Sequence, residues 1–290
     1  MRGESFMRRK TLSMLLAVSM VVALSGCAGG NSSTSGSSAS NVSASSSSVA
    51  DASSASSASA EDQSGADTAS ADVLTHEEYM AADLDSEVTI ETYVQAKQSW
   101  WEAEGQGKAT VYGQSEDGAY FMYDMACSQE DYEKLVPGTK IQVTGYKSEW
   151  SGEVEIMDGT FEIVDGDEFI ATPLDVTEML GTDELIDHQN ELVQFKGLTV
   201  EPANPDSGDT STAFLYNYDG SGSEGDDLYF NASYNGQTYT FVIESYLCDS
   251  STEVYSAVKN LQVGQTIDME GFLYWYEGVN PHITSVTVVG

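Results

Sequence analysis

Alternating side chains mark the first strong element: Val88, Ile90, Thr92, Val94 and Ala96 take one face and Thr89, Glu91, Tyr93, Gln95 and Lys97 the other, the period of a half-buried strand. Residues 108–114 and 119–125 follow as a hairpin turning at Glu116, Asp117 and Gly118. Ser128, with Asp131 three residues on, opens a short helix that ends near Gly138. Residues 139–147 and 153–156 make a second hairpin, and 161–164 closes the sheet. Thr75 and Glu78 have the spacing of a capping box and open a leading helix over 74–84.

The pattern then recurs. Leu135, Gly138, Ile141, Val143 and Gly145 are matched 126 residues later by Leu261, Gly264, Ile267, Met269 and Gly271, and Trp150-Ser151-Gly152 by Tyr276-Glu277-Gly278. Upstream, 120–127 resembles 241–248, and each segment ends in a cysteine. In the second copy 192–200 is the first strand, Asn235-Gly236 marks a tight hairpin, 254–261 is the helix, and 266–275 and 282–289 finish the sheet. Residues 176–189 form a helical counterpart of the leading helix.

Five strands with a helix between the third and fourth is the order of the OB-fold, a small Greek-key barrel. The expected fold is therefore mainly β: two tandem OB-fold-like five-stranded barrels, each with a short helix between strands three and four. The run Gly138-x-x-Ile141-x-Val143-x-Gly145-Tyr146-Lys147, with Gly118-Ala119-Tyr120-Phe121 before it and Trp150-Ser151-Gly152-Glu153 after it, resembles the OB-like modules of secreted Firmicutes lipoproteins. That resemblance implies a fold and a location and names no ligand.

The N-terminus agrees with that location. Arg8, Arg9 and Lys10 precede an apolar run over 12–23, about a dozen residues, too short for the roughly 20 that span a bilayer. Leu24-Ser25-Gly26-Cys27 follows and resembles the lipobox of bacterial lipoproteins, which implies cleavage before Cys27 and a diacylglycerol on its sulfur. Translation from Met7 would leave the same basic segment. Residues 28–71 are almost wholly Ser, Ala, Gly, Asn, Thr and Asp and cannot offset their ordering entropy. As a flexible coil they would span about 37 Å. Such a tether resembles those of Gram-positive lipoproteins. The expected domains are a signal peptide at 1–26, a lipid anchor and disordered tether at 27–72, a first barrel with its leading helix at 73–168, and a linker helix with the second barrel at 169–290. The expected location is the extracellular face of the cell membrane, with the lipid on Cys27 as the membrane contact.

Charge narrows the partners. After Cys27 there are seven lysines, no arginine and 46 acidic residues. Nucleic-acid binding ordinarily leaves a basic footprint, so nucleic acid is not an expected partner. Cys127 and Cys248 occupy matching positions of separate copies and are expected as two buried thiols.

Chemistry is sparse. His76, His188 and His282 are isolated, there is no paired metal-ligand motif and no nucleophile elbow, and the chain is not expected to be an enzyme. The candidate ligand site follows from OB geometry, in which the loops after strands one and four flank the binding face. Trp100 and Trp101 fall in the first loop and Trp150 in the second, with Tyr120 and Tyr123 on the sheet. Converging, they would suit a glycan, a peptide or an envelope protein. The other reading is that one indole of the pair packs into the barrel and Trp150 covers its end. The chain is accordingly expected to be a surface adaptor, with a scaffold for another envelope component and an accessory factor to a hydrolase or nuclease as alternatives. No cofactor is expected beyond weak calcium on the Gly-rich acidic loop, with Asp219, Glu224, Asp226 and Asp227 as ligands.

Overall fold

Gly138 and Gly264 have the same left-handed backbone, φ +90° and +91°, which only glycine adopts without strain. In each copy the glycine amide donates to the first strand, Gly138 to Val94 O and Gly264 to Val200 O, both at 2.8 Å. Val94 and Val200 return the bond to Thr139 O and Gln265 O at 2.9 Å. Identical turns thus fix the strand after each helix against the first strand of its barrel.

The computed structural model describes residues 72–290. The signal segment, Cys27 and all but the last residue of the tether lie outside them. Helix α1 (His76–Ala81) leads into strands β1 (Glu87–Lys97), β2 (Trp101–Ala103), β3 (Gln106–Ser115) and β4 (Gly118–Ala126). Helix α2 (Gln129–Lys134) precedes β5 (Lys140–Trp150) and β6 (Glu153–Ile163). The second copy contains β7 (Leu174–Asp175), β8 (Leu192–Glu201), β9 (Phe214–Tyr216), β10 (Leu228–Tyr234), β11 (Gln237–Ile243), α3 (Glu253–Lys259), β12 (Thr266–Phe272) and β13 (His282–Val288).

Both copies close in the same way. In the first, β1 pairs antiparallel with both β3 and β5, β5 with β6, and β6 runs parallel to β4 at Phe121–Glu155. In the second, β8 pairs with β10 and β12, β12 with β13, and β13 meets β11 in parallel at Val242–His282. These are two five-stranded OB barrels, with β2, β7 and β9 as short additions. The strand expected in two pieces, 153–156 and 161–164, is continuous as β6. The expected linker helix over 176–189 is instead two 3-10 turns, Thr177–Met179 and Asp183–His188, interrupted at Gly181 with φ +81°.

Each barrel has its own core. Val94, Val111, Tyr120, Met122, Met125 and Ile141 fill the first, and Phe195, Phe230, Phe241, Tyr255, Ile267 and Met269 the second. Ser128 and Thr252 cap α2 and α3 through their hydroxyls, as the sequence suggested for Ser128. Cys127 and Cys248 are buried free thiols, in keeping with the expectation. Thr75 and Glu78 form the expected capping box on α1. The other end of α1 is fixed by Lys147, whose buried ammonium donates to Met80 O at 2.6 Å and Ala82 O at 2.8 Å. A cation on otherwise orphaned carbonyls completes that terminus.

A second repeated glycine records close backbone approach. A β-carbon on Gly145 would lie 2.8 Å from Met157 O, and one on Gly271 would lie 2.3 Å from His282 O and 2.7 Å from Ile283 Cα. Backbone cannot move aside as a side-chain tip can. Gly271→Ala is therefore expected to lower the urea midpoint by the equivalent of about 1–3 kcal/mol, with the slope unchanged. An unaltered midpoint would show that β12 and β13 are further apart than described.

Candidate functional site

The strands that carry the first candidate face are buried on both sides. Ala109 to Gly113 on β3 and Gly118 to Met122 on β4 are all buried, whereas a sheet with one open face alternates. What covers the outer side is the second barrel. Tyr112 stacks on Phe272 with ring centroids 4.5 Å apart and an interplanar angle of 25°, and Phe121 meets Tyr274 edge-on at 5.2 Å. Leu192 and Leu247 pack around the same cluster.

Polar groups surround this aromatic seam. Gln98 donates to the Tyr112 hydroxyl, which is left to donate its own proton to His282 Nδ1 at 2.6 Å. Burial depresses the His282 imidazole to about 3, so it is neutral at physiological pH, as an acceptor must be. Tyr274 stacks on the His282 ring at 4.2 Å. Glu153 Oε2 accepts from Trp275 N at 2.8 Å and from the Gln189 amide at 3.2 Å. Gln189 also donates to Gly152 O, and Asn190 to Val154 O. Backbone amides cross as well: Ser99 N to Tyr246 O and Glu277 N to Ser151 O, both at 2.7 Å. Gln114 Oε1 receives Leu192 N at 2.8 Å.

The five aromatic residues expected to form a ligand site are therefore dispersed. Trp100 lies against Gly107 and donates its indole N–H to Cys127 O at 3.0 Å. Trp101 donates to Asp124 Oδ1 at 3.1 Å, at the C-terminal end of β4. Trp150 pairs with Glu153, and the parallel register of Phe121 with Glu155, extended by two residues, sets Glu153 beside Ala119 at the N-terminal end of β4. At about 3.3 Å per residue these ends are some 20 Å apart, so the indoles do not converge. Tyr120 is in the core against Tyr79 and His76, and Tyr123 lies half-buried near Phe121 at the seam.

The second barrel keeps its equivalent face open. Along β10, Leu228, Phe230 and Ala232 point into the core, while Tyr229, Asn231 and Ser233 point out. Thr240 on β11 donates to Asn231 Oδ1 at 2.8 Å, and Ser233 donates to Glu201 at 2.6 Å. Leu215 on β9 stands opposite Tyr229. Beside them Tyr218, 75% exposed, meets the Tyr229 ring edge-to-face at 5.7 Å. The left-handed Asn217 turns the chain there, φ +57°, with its amide bonded to Asp227 O. Tyr218 and Tyr229 went unnoticed in the sequence, although the strict alternation of β10 marks an open face.

The acidic loop follows Tyr218, but its carboxylates face different partners. Asp219 accepts from Ser221 N, Asp226 from Ser223 N, and Asp227 from the amide and hydroxyl of Ser245. Glu224 binds Lys259 and the Tyr216 hydroxyl, which together hold its carboxyl below the usual range. Among the described residues no three His, Cys, Asp or Glu side chains are grouped to hold a metal ion, so the four calcium candidates do not converge.

No known family profile matches the chain, and no curated protein does. Solved structures with a similar fold include a murine DNA-binding protein bound to double-stranded DNA, at 12% identity and a TM-score of 0.33 over 69% of this chain and 99% of that one. Another is the Ifi202 HINa domain with a 20-base-pair duplex, at 13% identity and a TM-score of 0.30 over 70% and 98%. A third, described as structural mimicry for functional antagonism, gives 13%, 0.32, 71% and 96%.

These findings correct two expectations. Nucleic acid is not among the expected partners, whereas two of the solved structures named above are DNA complexes. The assignment as a glycan or peptide adaptor through Trp100, Trp101 and Trp150 is withdrawn, along with its alternatives of envelope scaffold and hydrolase or nuclease accessory. The geometry removes the adaptor's site, because its indoles are dispersed and its sheet face is the seam. Tyr112→Phe would keep the stack but deprive His282 Nδ1 of its donor. A loss of about 1–3 kcal/mol in chemical denaturation is expected, and an unchanged stability would place that hydroxyl elsewhere.

Proposed function

We propose that this chain is a non-enzymatic nucleic-acid-binding module that takes single strands on the open β9–β10–β11 face of its second barrel. The observation that carries the reading is the edge-to-face pair of the exposed Tyr218, just after β9, with the half-buried Tyr229 on β10. Oligonucleotides are a known ligand class for the face made by the second and third strands of an OB barrel. Here the first barrel's copy of that face is covered and the second barrel's copy is not. Bases stack on aromatic rings at about 1–3 kcal/mol each, and single strands leave both base faces accessible. Asn231, Ser233 and Thr240 use their donors on Pro202 O, Glu201 and Asn231, so beside the rings they offer acceptor lone pairs.

The lysines set the character of the binding. Lys140 pairs with Glu91, Lys196 with Asp175, Lys259 with Glu224 and Lys134 with Glu130 and Asp131. Lys97 and Lys147 donate to backbone carbonyls. Six of the seven lysines after Cys27 are thus engaged and only Lys108 is left over, so phosphate neutralisation contributes little and base stacking carries the affinity against an acidic surface. The module is held at the outer face of the cell membrane by lipid on Cys27, a placement that rests on the lipobox-like tetrapeptide and the preceding apolar run.

Fluorescence anisotropy with a labelled oligothymidine of about 15 nucleotides tests this on the full chain. Binding is expected, with affinity falling at least tenfold in the Tyr218→Ala, Tyr229→Ala variant. Affinity should rise with salt, because screening relieves like-charge repulsion, the opposite of a phosphate-contact interface. No binding by the parent protein, or equal binding by the variant, would reject the proposal.

A further inference from the structure

Among the carboxyl groups enclosed where the barrels meet are Glu153 and Glu244, and neither bonds to an ammonium group. Glu153 is fully buried. Its Oε2 takes both donors described above, while Oε1 has no hydrogen-bond partner. Glu244, at the end of β11, is also buried, and its Oε2 accepts from Tyr246 N and Leu247 N, both at 3.0 Å. Tyr246 is the residue whose carbonyl receives Ser99 N from the first barrel. For Glu153 the unpartnered oxygen, and for both residues burial without a cation, make the environment that of the neutral acid.

We propose that the joint between the barrels is proton-gated: it is tight while Glu153 and Glu244 carry protons and loosens as they ionise. The groups facing these carboxyls add anionic or neutral character. Glu155 acts on Glu153, and both act on Tyr274 and on Tyr79 of the leading helix. Asp227 acts on Glu244, which in turn acts on Tyr112, Tyr123, Tyr274 and Cys248. His282, the basic group in the seam, is neutral there and bonded to Tyr112.

The direction of the pH dependence follows. Burial pushes Glu244 up to about 8 and raises Glu153 well above the ordinary carboxylate range. Over the interval from about 4.5 to 8 the docked form holds protons that the opened form releases, so docking weakens as pH rises. His282 opposes this below its ordinary value, since the opened form then binds a proton that the docked form does not. Two acids outweigh one imidazole, and above about 6.5 the imidazole no longer contributes. The joint is therefore tightest under mildly acidic conditions and opens toward alkaline pH.

Amide hydrogen exchange on the full chain, corrected for the intrinsic pH dependence of exchange, reads the joint directly. Trp275, Leu192, Ser99 and Glu277 donate their amides across the seam, and Ile90 and Phe230 amides report the separate barrel cores. From pH 6.5 to 8 the seam amides are expected to lose protection by up to tenfold per pH unit for each ionising acid, while the core amides hold theirs. Glu244→Gln should roughly halve the logarithmic slope, and Glu153→Gln with Glu244→Gln should abolish it. Should the double variant not fold, the single variant and the parent protein still decide the matter. Seam protection that is flat or rises with pH in the parent, or a slope unchanged in Glu244→Gln, would overturn the proposal.

Discussion

Stacking of Tyr112 on Phe272 determines how the two halves of this protein relate. It joins β3 of the first barrel to β12 of the second, and Phe121, Tyr274 and His282 assemble around it. Aromatic pairs contribute about 0.5–1.5 kcal/mol beyond the area they bury, and here one ring also fixes a histidine tautomer through its hydroxyl. Beside the stack, Gln189, Asn190 and the Trp275 amide donate to Gly152 O, Glu153 Oε2 and Val154 O. The barrels are then one body with one sheet face consumed and one exposed.

That asymmetry gives two copies of one module different surfaces. The first copy has given its outward tyrosine and phenylalanine to its neighbour, so its strands read as unbroken apolar runs. The second copy retains polar and aromatic groups outward on β10 and β11. The proposed binding face consequently lies on the barrel whose motif match is looser, opposite to what the tryptophan count suggested.

Much of the fold was legible. The paired Gly138 and Gly264 turns, the Asn235-Gly236 hairpin, the capping box at Thr75 and the alternation of β1 all report local chemistry that a sequence displays. The 3-10 turns read as a helix because Val176, Met179 and Leu180 have helical spacing, and only the packed chain reveals the break at Gly181. The site was much less legible. Indole N–H groups can satisfy themselves within a barrel, as those of Trp100 and Trp101 do with Cys127 O and Asp124, and sequence does not distinguish such an indole from a free one. The seam was in principle visible: apolar runs at 109–113 and 118–122 without alternation imply a covered face, and Glu244 closes a buried run of Phe241, Val242 and Ile243. Nothing local says that the covering partner is the second copy itself.

A double-mutant cycle between Phe121→Leu and Phe272→Leu, read by urea denaturation, tests most directly whether the barrels share that face. The two residues lie in different barrels and meet through the Tyr112 ring, so docked barrels predict a coupling energy of about 0.5 kcal/mol or more. Changes that simply add, to within about 0.3 kcal/mol, would contradict a shared seam and return the first barrel's sheet face to solvent.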